Sequence, residues 1–405
     1  FPNRELETGR GLRLSPLYDR LRDRRACFGN KMGWERANWF APEGVSLETV
    51  YSFGRQNWFP YVAAEHRVCR EAIAVFDQTS FSKFRLEGPD AEATLQRLCA
   101  NDVAVEPGRI VYTGMLNERG GFESDLTVTR LGGDAYLIVT GSAQTTRDAD
   151  WIRRHVPDDA RATLTDVTGA YAVLGVMGPR ARDLLARLTR ADLSNEAFPF
   201  ATSREIWLER ALVRASRITY VGELGWELYV PVEFAAGVYD ALHTAGGDLG
   251  LADAGYYAIE SLRVEKAYRA WGRELTTDDT PLEAGLGFAV RFDKPVPFIG
   301  RDALLAQRDK PLEKRLVSFV LDDPEALSWG DEPIWCEGAI VGATTSAAYG
   351  HTLGRAVAMG YVKRPAVDAA YLATARFEIE IAGDRFTARG GLKAPYDPAG
   401  HRIKR

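Results

Sequence analysis

The run of apolar and polar positions changes character along the chain. Over residues 1–50 no period is sustained, and aromatics are scattered: Tyr18, Phe28, Trp34, Trp39 and Phe40. The stretch "GWERANWF" (33–40) carries three large aromatics. Disordered segments are poor in such residues, so an arm that wraps another surface is expected. From about residue 65 helical and strand periods alternate. "GPDAEATLQRLCAND" (88–102) reads as a helix capped by Asp90, with Leu95 and Leu98 on one face. "LTVTRLGGDAYLIVTG" (126–141) is a hairpin around Gly132-Gly133-Asp134. "MGPRARDLLARLT" (177–189) has Pro179 in its first helical turn, and "VEFAAGVYDALHTAGG" (232–247) is a helix ending at glycine. "AGYYAIESLRVEKAYRAWG" (254–272) predicts a long helix closed by Gly272.

Near residue 300 the pattern turns to short strands: "RLVSFVLDD", "AIVGATTSA", "AVAMGYVKR" and "RFEIEIAGDRFTARG", the last a hairpin at Ala382-Gly383-Asp384. A small antiparallel barrel is the expected form. The fold class is α+β, with two mixed modules followed by a β domain. The expected divisions are an arm at 1–55, a mixed region at 56–305 and a barrel at 306–405.

Composition narrows the function classes. The chain has 405 residues, 46% hydrophobic, with a net charge of −5, which provides for several cores and gives no basic patch for nucleic acid. No apolar run approaches the roughly 20 residues that span a bilayer. Cys27, Cys69, Cys99 and Cys336 are far apart and form no CxxC pair, so neither a zinc site nor a disulfide framework is expected. A reducing compartment fits, the cytoplasm first and the mitochondrial matrix as the alternative. The start at Phe1 suits a processed chain or a piece of a longer one. No GxGxxG, Walker A, HExxH or GxSxG motif is present, and the five histidines have no ligand spacing. No metal is expected.

Carboxylates in aromatic surroundings are what remains. Asp102, in "CANDVAVEPGRIVYTGMLNERGGFESDL", is either a turn residue after the helix or an acid walled in by the following strands. Glu227, in "YVGELGWELYVP" (220–231), lies on a strand opposite Trp226 and Leu228. It either faces water or accepts hydrogen bonds from a ligand with paired N–H donors, as a carboxylate does from arginine. Glu260, Arg263, Glu265 and Arg269 on the long helix read as a solvated face, with Tyr268 lining a cleft or packing.

Four stretches together resemble the aminomethyltransferase family, the glycine cleavage T-proteins: "NDVAVEPGRIVYTGMLNERGGFESDLTV" (101–128), "GVMGPRARDLL" (175–185), "YVGELGWELYVP" (220–231) and "TPLEAGLGF" (280–288). "GATTSAAYGHTLGRAVAMGYV" (342–362) looks like that family's closing barrel, and the resemblance covers about residues 65 to 400. It is nearer still to the folate-dependent half of dimethylglycine and sarcosine dehydrogenases, through residues 7–40 and "SLRVEKAYRAWGRELTTDDTP" (261–281).

The resemblance implies a T-protein-like multi-domain folate-binding fold with mixed α/β modules and a C-terminal antiparallel β-barrel. It implies a tetrahydrofolate-dependent transfer that captures the carbon of an N-methyl or aminomethyl (iminium) donor, such as dimethylglycine or sarcosine, as methylenetetrahydrofolate. By it, Asp102 matches the central acid, Tyr220 and Glu227 match the residues that hold the pterin, and Asn117 and Tyr268 match cleft positions. Tyr112 is a further aromatic wall for a flat ligand. The implied partners are a small one-carbon donor and a flavin-dependent oxidoreductase domain or subunit, with FAD only if such a domain precedes this chain. Neither nucleic acid nor a membrane is implied. One departure stands out: Ile259 takes the place of an arginine that contacts folate in glycine-cleavage T-proteins, which favours the dehydrogenase branch. The other readings are a free-standing methyl- or aminomethyltransferase on another small N- or S-methyl compound, and a non-catalytic folate-binding protein.

Overall fold

The computed structural model of the chain describes residues 4–405. Two compact units emerge: one takes in the chain up to Lys83, Asp166–Leu262 and Ala399–Arg405, the other Phe84–Thr165 and Arg263–Pro398.

The first unit is built on a six-stranded sheet. Its order is Ser203–Leu208, Ala211–Ser216, Gly225–Pro231, Tyr171–Met177, Ile73–Asp77 and Leu251–Asp253. All neighbours are antiparallel except the last pair. Period-two alternation gives it two apolar faces. Leu174, Val176, Trp226, Leu228 and Val230 fill one core with the helix Ala235–Gly246. Phe76 and Met177 join Trp39, Ala258 and Ile259 in another.

The N-terminal segment is more ordered than a wrapped arm. It forms a short helix, Tyr18–Asp23, and a hairpin, Ala26–Lys31 with Trp34–Phe40, whose Trp39 is fully buried. Glu65 fixes it: its two oxygens accept the Phe40 N–H at 2.7 Å and the Gly255 N–H at 2.8 Å. Desolvation pushes the Glu65 carboxyl up to about 8.

The second unit holds a five-stranded sheet and a closed barrel. The sheet runs Ile110–Leu116, Phe122–Gly132, Ala135–Thr140, Ser82–Glu87 and Thr163–Asp166, and the helices Ala91–Leu98 and Thr145–His155 contribute to its core. The barrel order is Arg315–Leu321, Arg355–Val362, Ala339–Gly350, Pro333–Cys336, Phe377–Ile381 and Asp384–Gly391, closed by pairing of the first strand with the last. Pro333–Cys336 is a strand the sequence reading did not mark; its four residues are too few for a period. No helix among the described residues is long and apolar enough to cross a membrane.

Four local expectations are corrected. The long helix stops at Glu265, so it is Tyr256–Glu265 and not 254–272. Its charges are no solvated face: Arg263 and Glu265 are buried. The Arg263 guanidinium donates to the Tyr268 carbonyl at 3.0 Å, to Glu274 at 3.0 Å and to the Ser346 hydroxyl at 2.7 Å. This draws the chain out of the helix through Ala267, whose φ of 52° is left-handed. The expected helix over 177–189 shrinks to Ala181–Leu185. Asp90 sits at the N-cap of Ala91–Leu98, but its side chain accepts from the Arg161 N–H at 2.8 Å, not from its own helix.

The hairpin docks backbone to backbone at Gly255. A Cβ there would lie 2.1 Å from the Asn38 carbonyl oxygen. Gly255→Ala is therefore expected to destabilise the fold by about 1–3 kcal/mol. Gly169→Ala, where a Cβ meets nothing within 4 Å, is the control. Thermal melts check this; equal melting temperatures for the two variants would contradict the docking.

Candidate functional site

In the first unit the site is built on the strand Gly225–Pro231. Trp226, Leu228 and Val230 enter the sheet's main core, which turns Glu227 and Tyr229 to the opposite face. Glu227 is paired across the sheet with Ser216 on one side and Gly175 on the other, both small. The Tyr229 hydroxyl donates to Glu227 Oε2 at 2.8 Å. Oε1 takes no hydrogen bond among the described residues. The carboxyl is half-buried, and desolvation raises its pKa against the Tyr229 hydrogen bond and the Lys83 charge, which lower it.

Gln78 shares this face. Its Oε1 lies 2.5 Å from where a Cβ on Gly175 would stand, and it is buried with no partner. Buried acceptors are seldom left so. Tyr220 packs on the cluster of Phe76, Met177 and Ile259, again on this side of the sheet. Lys83 is fully buried, and its ammonium donates to the Thr79 carbonyl at 2.8 Å and the Tyr171 carbonyl at 3.1 Å. Burial pushes it down to about 7, against the pull of Asp77, Asp166 and Glu227.

The neighbouring acid of the motif behaves differently. Glu223 is buried but clamped by cations, with Arg70 at 3.0 Å and Arg402 at 2.7 Å. Its partners are complete, so it holds the fold. Glu227 has one tyrosine hydroxyl and a spare oxygen.

In the second unit Asp102 follows the helix Ala91–Leu98. Asn101 pins this turn to the strand Ile110–Leu116: its N–H donates to Thr113 Oγ1 at 2.9 Å and its amide to the Tyr112 carbonyl at 3.0 Å. Asp102 Oδ1 accepts the Ala104 N–H at 2.9 Å and the Gln96 amide at 2.5 Å. That oxygen makes the Asx turn that one reading of the sequence expected. Oδ2 takes no hydrogen bond among the described residues.

Tyr112 is half-buried, stacks on Phe288 at 6.3 Å between ring centroids, and donates its hydroxyl to Asp125 Oδ2 at 3.1 Å. Burial pushes the Asp125 carboxyl up to about 7, and the nearby Asp148 adds to it. Asn117 divides its amide between its own turn and Thr277. Oδ1 accepts the Arg119 and Gly121 N–H groups at 3.0 and 3.1 Å, and Nδ2 donates to the Thr277 carbonyl at 3.1 Å. Tyr268 is half-buried just after left-handed Ala267. Among the described residues no group of three or more His, Cys, Asp or Glu could hold a metal ion.

The structure thus gathers Tyr220 and Glu227 on one face in the first unit, and Asp102 and Tyr112 around one strand in the second. Sequence reasoning missed Tyr229, Gln78, Lys83, Asp125 and Gln96. Tyr229 was legible, because i and i+2 share a strand face. Gln78 and Gln96 gave no signal. Tyr229→Phe removes a donor that favours the charged carboxylate, so the Glu227 titration is expected to move upward in pH. The carboxyl 13C shift of Glu227 against pH checks this; an unmoved midpoint would contradict it.

Comparisons with known proteins agree on the family. A family model described as the GCVT N-terminal domain matches residues 17–294, and one described as the glycine cleavage T-protein C-terminal barrel domain matches 314–397. The chain is 42% identical over 404 residues to 4-methylaminobutanoate oxidase (formaldehyde-forming) of Paenarthrobacter nicotinovorans, covering 100% of this chain and 48% of the oxidase. It is 37% identical over 445 residues to the mitochondrial sarcosine dehydrogenase of Homo sapiens, covering 100% and 48%. It is 37% identical over 339 residues to the aminomethyltransferase of Shouchella clausii (strain KSM-K16), covering 84% and 90%. The chain therefore spans about half the length of the oxidase and the dehydrogenase. The crystal structure of the glycine cleavage system aminomethyltransferase T from Bartonella henselae shares the fold, with a TM-score of 0.79 at 24% identity over 95% of this chain and 98% of that one. The chain belongs to the glycine cleavage T-protein family, as an aminomethyltransferase-type domain related to the sarcosine and dimethylglycine dehydrogenases.

Proposed function

We propose that this chain binds tetrahydrofolate and captures the carbon of an N-methylene iminium, derived from a donor such as dimethylglycine or sarcosine, to form 5,10-methylenetetrahydrofolate. The observation that carries the reading is the pair of spare acceptors on one sheet face. Glu227 Oε1 and Gln78 Oε1 both lack donors, and Gln78 is buried. A desolvated carboxylate is costly unless donors meet it. An amino-pyrimidine edge offers two parallel N–H groups to a carboxylate, the geometry that arginine offers. The residues present fit such a ring, with Tyr220 and its apolar cluster beside them.

Tetrahydrofolate, when bound, supplies the nucleophilic nitrogens, and the donor supplies the electrophilic carbon. The work left to this chain is orientation, charge stabilisation and proton removal. Glu227 holds the ring by its N–H edge. Asp102, with Oδ1 fixed and Oδ2 free, stabilises the iminium charge and takes the proton that leaves the attacking nitrogen. Tyr112 supplies a further aromatic wall, and Asn117 keeps its turn in shape. Tyr268 is assigned to the cleft by family likeness. In sum, one folate N–H and the iminium give the new N–C bond; ring closure on the second nitrogen releases the amine and one proton.

We further propose that the iminium comes from a flavin-dependent oxidoreductase domain or subunit. The basis is that the relatives at 42% and 37% identity are named as an oxidase and a dehydrogenase and are about twice as long as this chain.

Two variants test the reading. Glu227→Ala is expected to weaken tetrahydrofolate binding by at least about tenfold, since a charge-assisted hydrogen bond contributes about 1.5–3 kcal/mol. Asp102→Ala is expected to keep folate binding and lose about 10²–10⁴-fold in single-turnover transfer. Tryptophan quenching and transfer above the protein-free background are the measurements. Wild-type affinity in the first variant, or wild-type transfer in the second, would overturn the corresponding role.

A further inference from the structure

Behind Asp102 lies a buried cation outside the roles assigned so far. Lys294 is 6% exposed, and its side chain reaches the end of the helix Ala91–Leu98. Its ammonium donates to four oxygens: the carbonyls of Gln96 and Cys99, each at 2.5 Å, the Asn101 carbonyl at 3.1 Å and the Gln96 side-chain Oε1 at 3.1 Å. The Phe298 ring lies 5.3 Å from it. Helix C-terminal carbonyls lack partners of their own and attract a positive charge. A cap of that kind would need only the main-chain contacts. The contact to Gln96 Oε1 adds something else. An amide whose oxygen faces an ammonium must point its nitrogen away, and here that nitrogen donates to Asp102 Oδ1 at 2.5 Å.

We infer that Lys294 is a positioning residue for the Asp102 carboxylate. It acts through the Gln96 amide and through the carbonyls of the segment that ends at Asp102. The relay Lys294–Gln96–Asp102 engages Oδ1 and leaves Oδ2 for the reacting nitrogen. It also holds the 96–101 backbone at three points. All members but the acid itself are buried, Gln96 at 4% exposure, so water does not compete for the amide. The titratable groups facing Lys294 are Asp102 and the Cys99 thiol. Burial pushes Cys99 up to about 12, so it is neutral. Desolvation pulls Lys294 itself down to about 8 against the Asp102 charge, so the relay would weaken as pH rises through that value. Deprotonation removes the charge and one of three donors.

This inference rests on Asp102 being the transfer acid, so the test includes Asp102→Ala. The full chain would be compared with Lys294→Met and with Gln96→Met, which leaves the ammonium cap in place and cuts only the link. In the folate-free protein, exchange of the Gln96 side-chain amide protons is followed in 15N–1H spectra. Single-turnover transfer to tetrahydrofolate is followed from pH 6 to 10, with dimethylamine and formaldehyde as the iminium source. The expected result is faster Gln96 amide exchange in Lys294→Met. Transfer falls about 10–100-fold in both variants with folate affinity within twofold of wild type. The double variant is no worse than the weaker single, and the basic limb near pH 8 is lost. If Lys294→Met does not fold, Gln96→Met carries the kinetic arm. Wild-type rates and pH profile in Gln96→Met, with Asp102→Ala inactive, would reduce Lys294 to a helix cap and overturn the inference. Wild-type transfer in Asp102→Ala would overturn the acid's role and the inference together.

Discussion

A carboxylate withdrawn from water keeps its charge only where donors replace the water. Three acids of this chain meet that demand to different degrees. Glu223 is met by two guanidinium groups, at 2.7 and 3.0 Å, and is closed to anything else. Glu65 is met by two main-chain N–H groups, which do not offset its burial, and it joins the hairpin to the rest of its unit. Glu227 is met by one phenol and a buried ammonium that makes no direct hydrogen bond to it. Its second oxygen is left over, on a face where Gln78 also has an oxygen left over. The fold dictates this arrangement. Strand alternation sends Trp226 and Leu228 into the core, and a glycine and a serine flank the acid across the sheet.

The same logic runs through the second unit with other residues. Asp102 gives one oxygen to its own turn and to Gln96, and keeps the other. The segment that carries it is tied to the neighbouring strand by Asn101 and to Lys294 by three carbonyls. A group that must meet a reacting atom profits from being held on one side only. Asn117 shows the contrast: its oxygen accepts two N–H groups of its own turn and its amide nitrogen reaches across to the Thr277 carbonyl, so both ends already have partners.

Much of this was legible in the chain. The barrel hairpin at Ala382-Gly383-Asp384 and the Gly132–Asp134 hairpin announced themselves by alternation and turn residues, and the strand carrying Glu227 by its opposed tryptophan and leucine. The misses share a cause: long-range polar contacts that have no local period. The helix at Tyr256 ends early because the buried Arg263 finds Tyr268, Glu274 and Ser346, and Ser346 is 83 residues away. Arg263 and Glu265 looked like a solvated face because charge in a sequence shows polarity and not partners. The hairpin at residues 26–40 was hidden by a bulge between Cys27 and Phe28 that breaks its alternation. Gln78 and Gln96 became visible only in three dimensions, since a lone glutamine carries no pattern.

The central claim is that the spare oxygen of Glu227 exists to receive a pterin edge. The most direct measurement is the 13C carboxyl titration of Glu227 with and without saturating tetrahydrofolate. The account predicts that the ligand holds the group ionised to lower pH, because paired N–H donors favour the charged form. A Glu227 titration unmoved by a folate that demonstrably binds would contradict it.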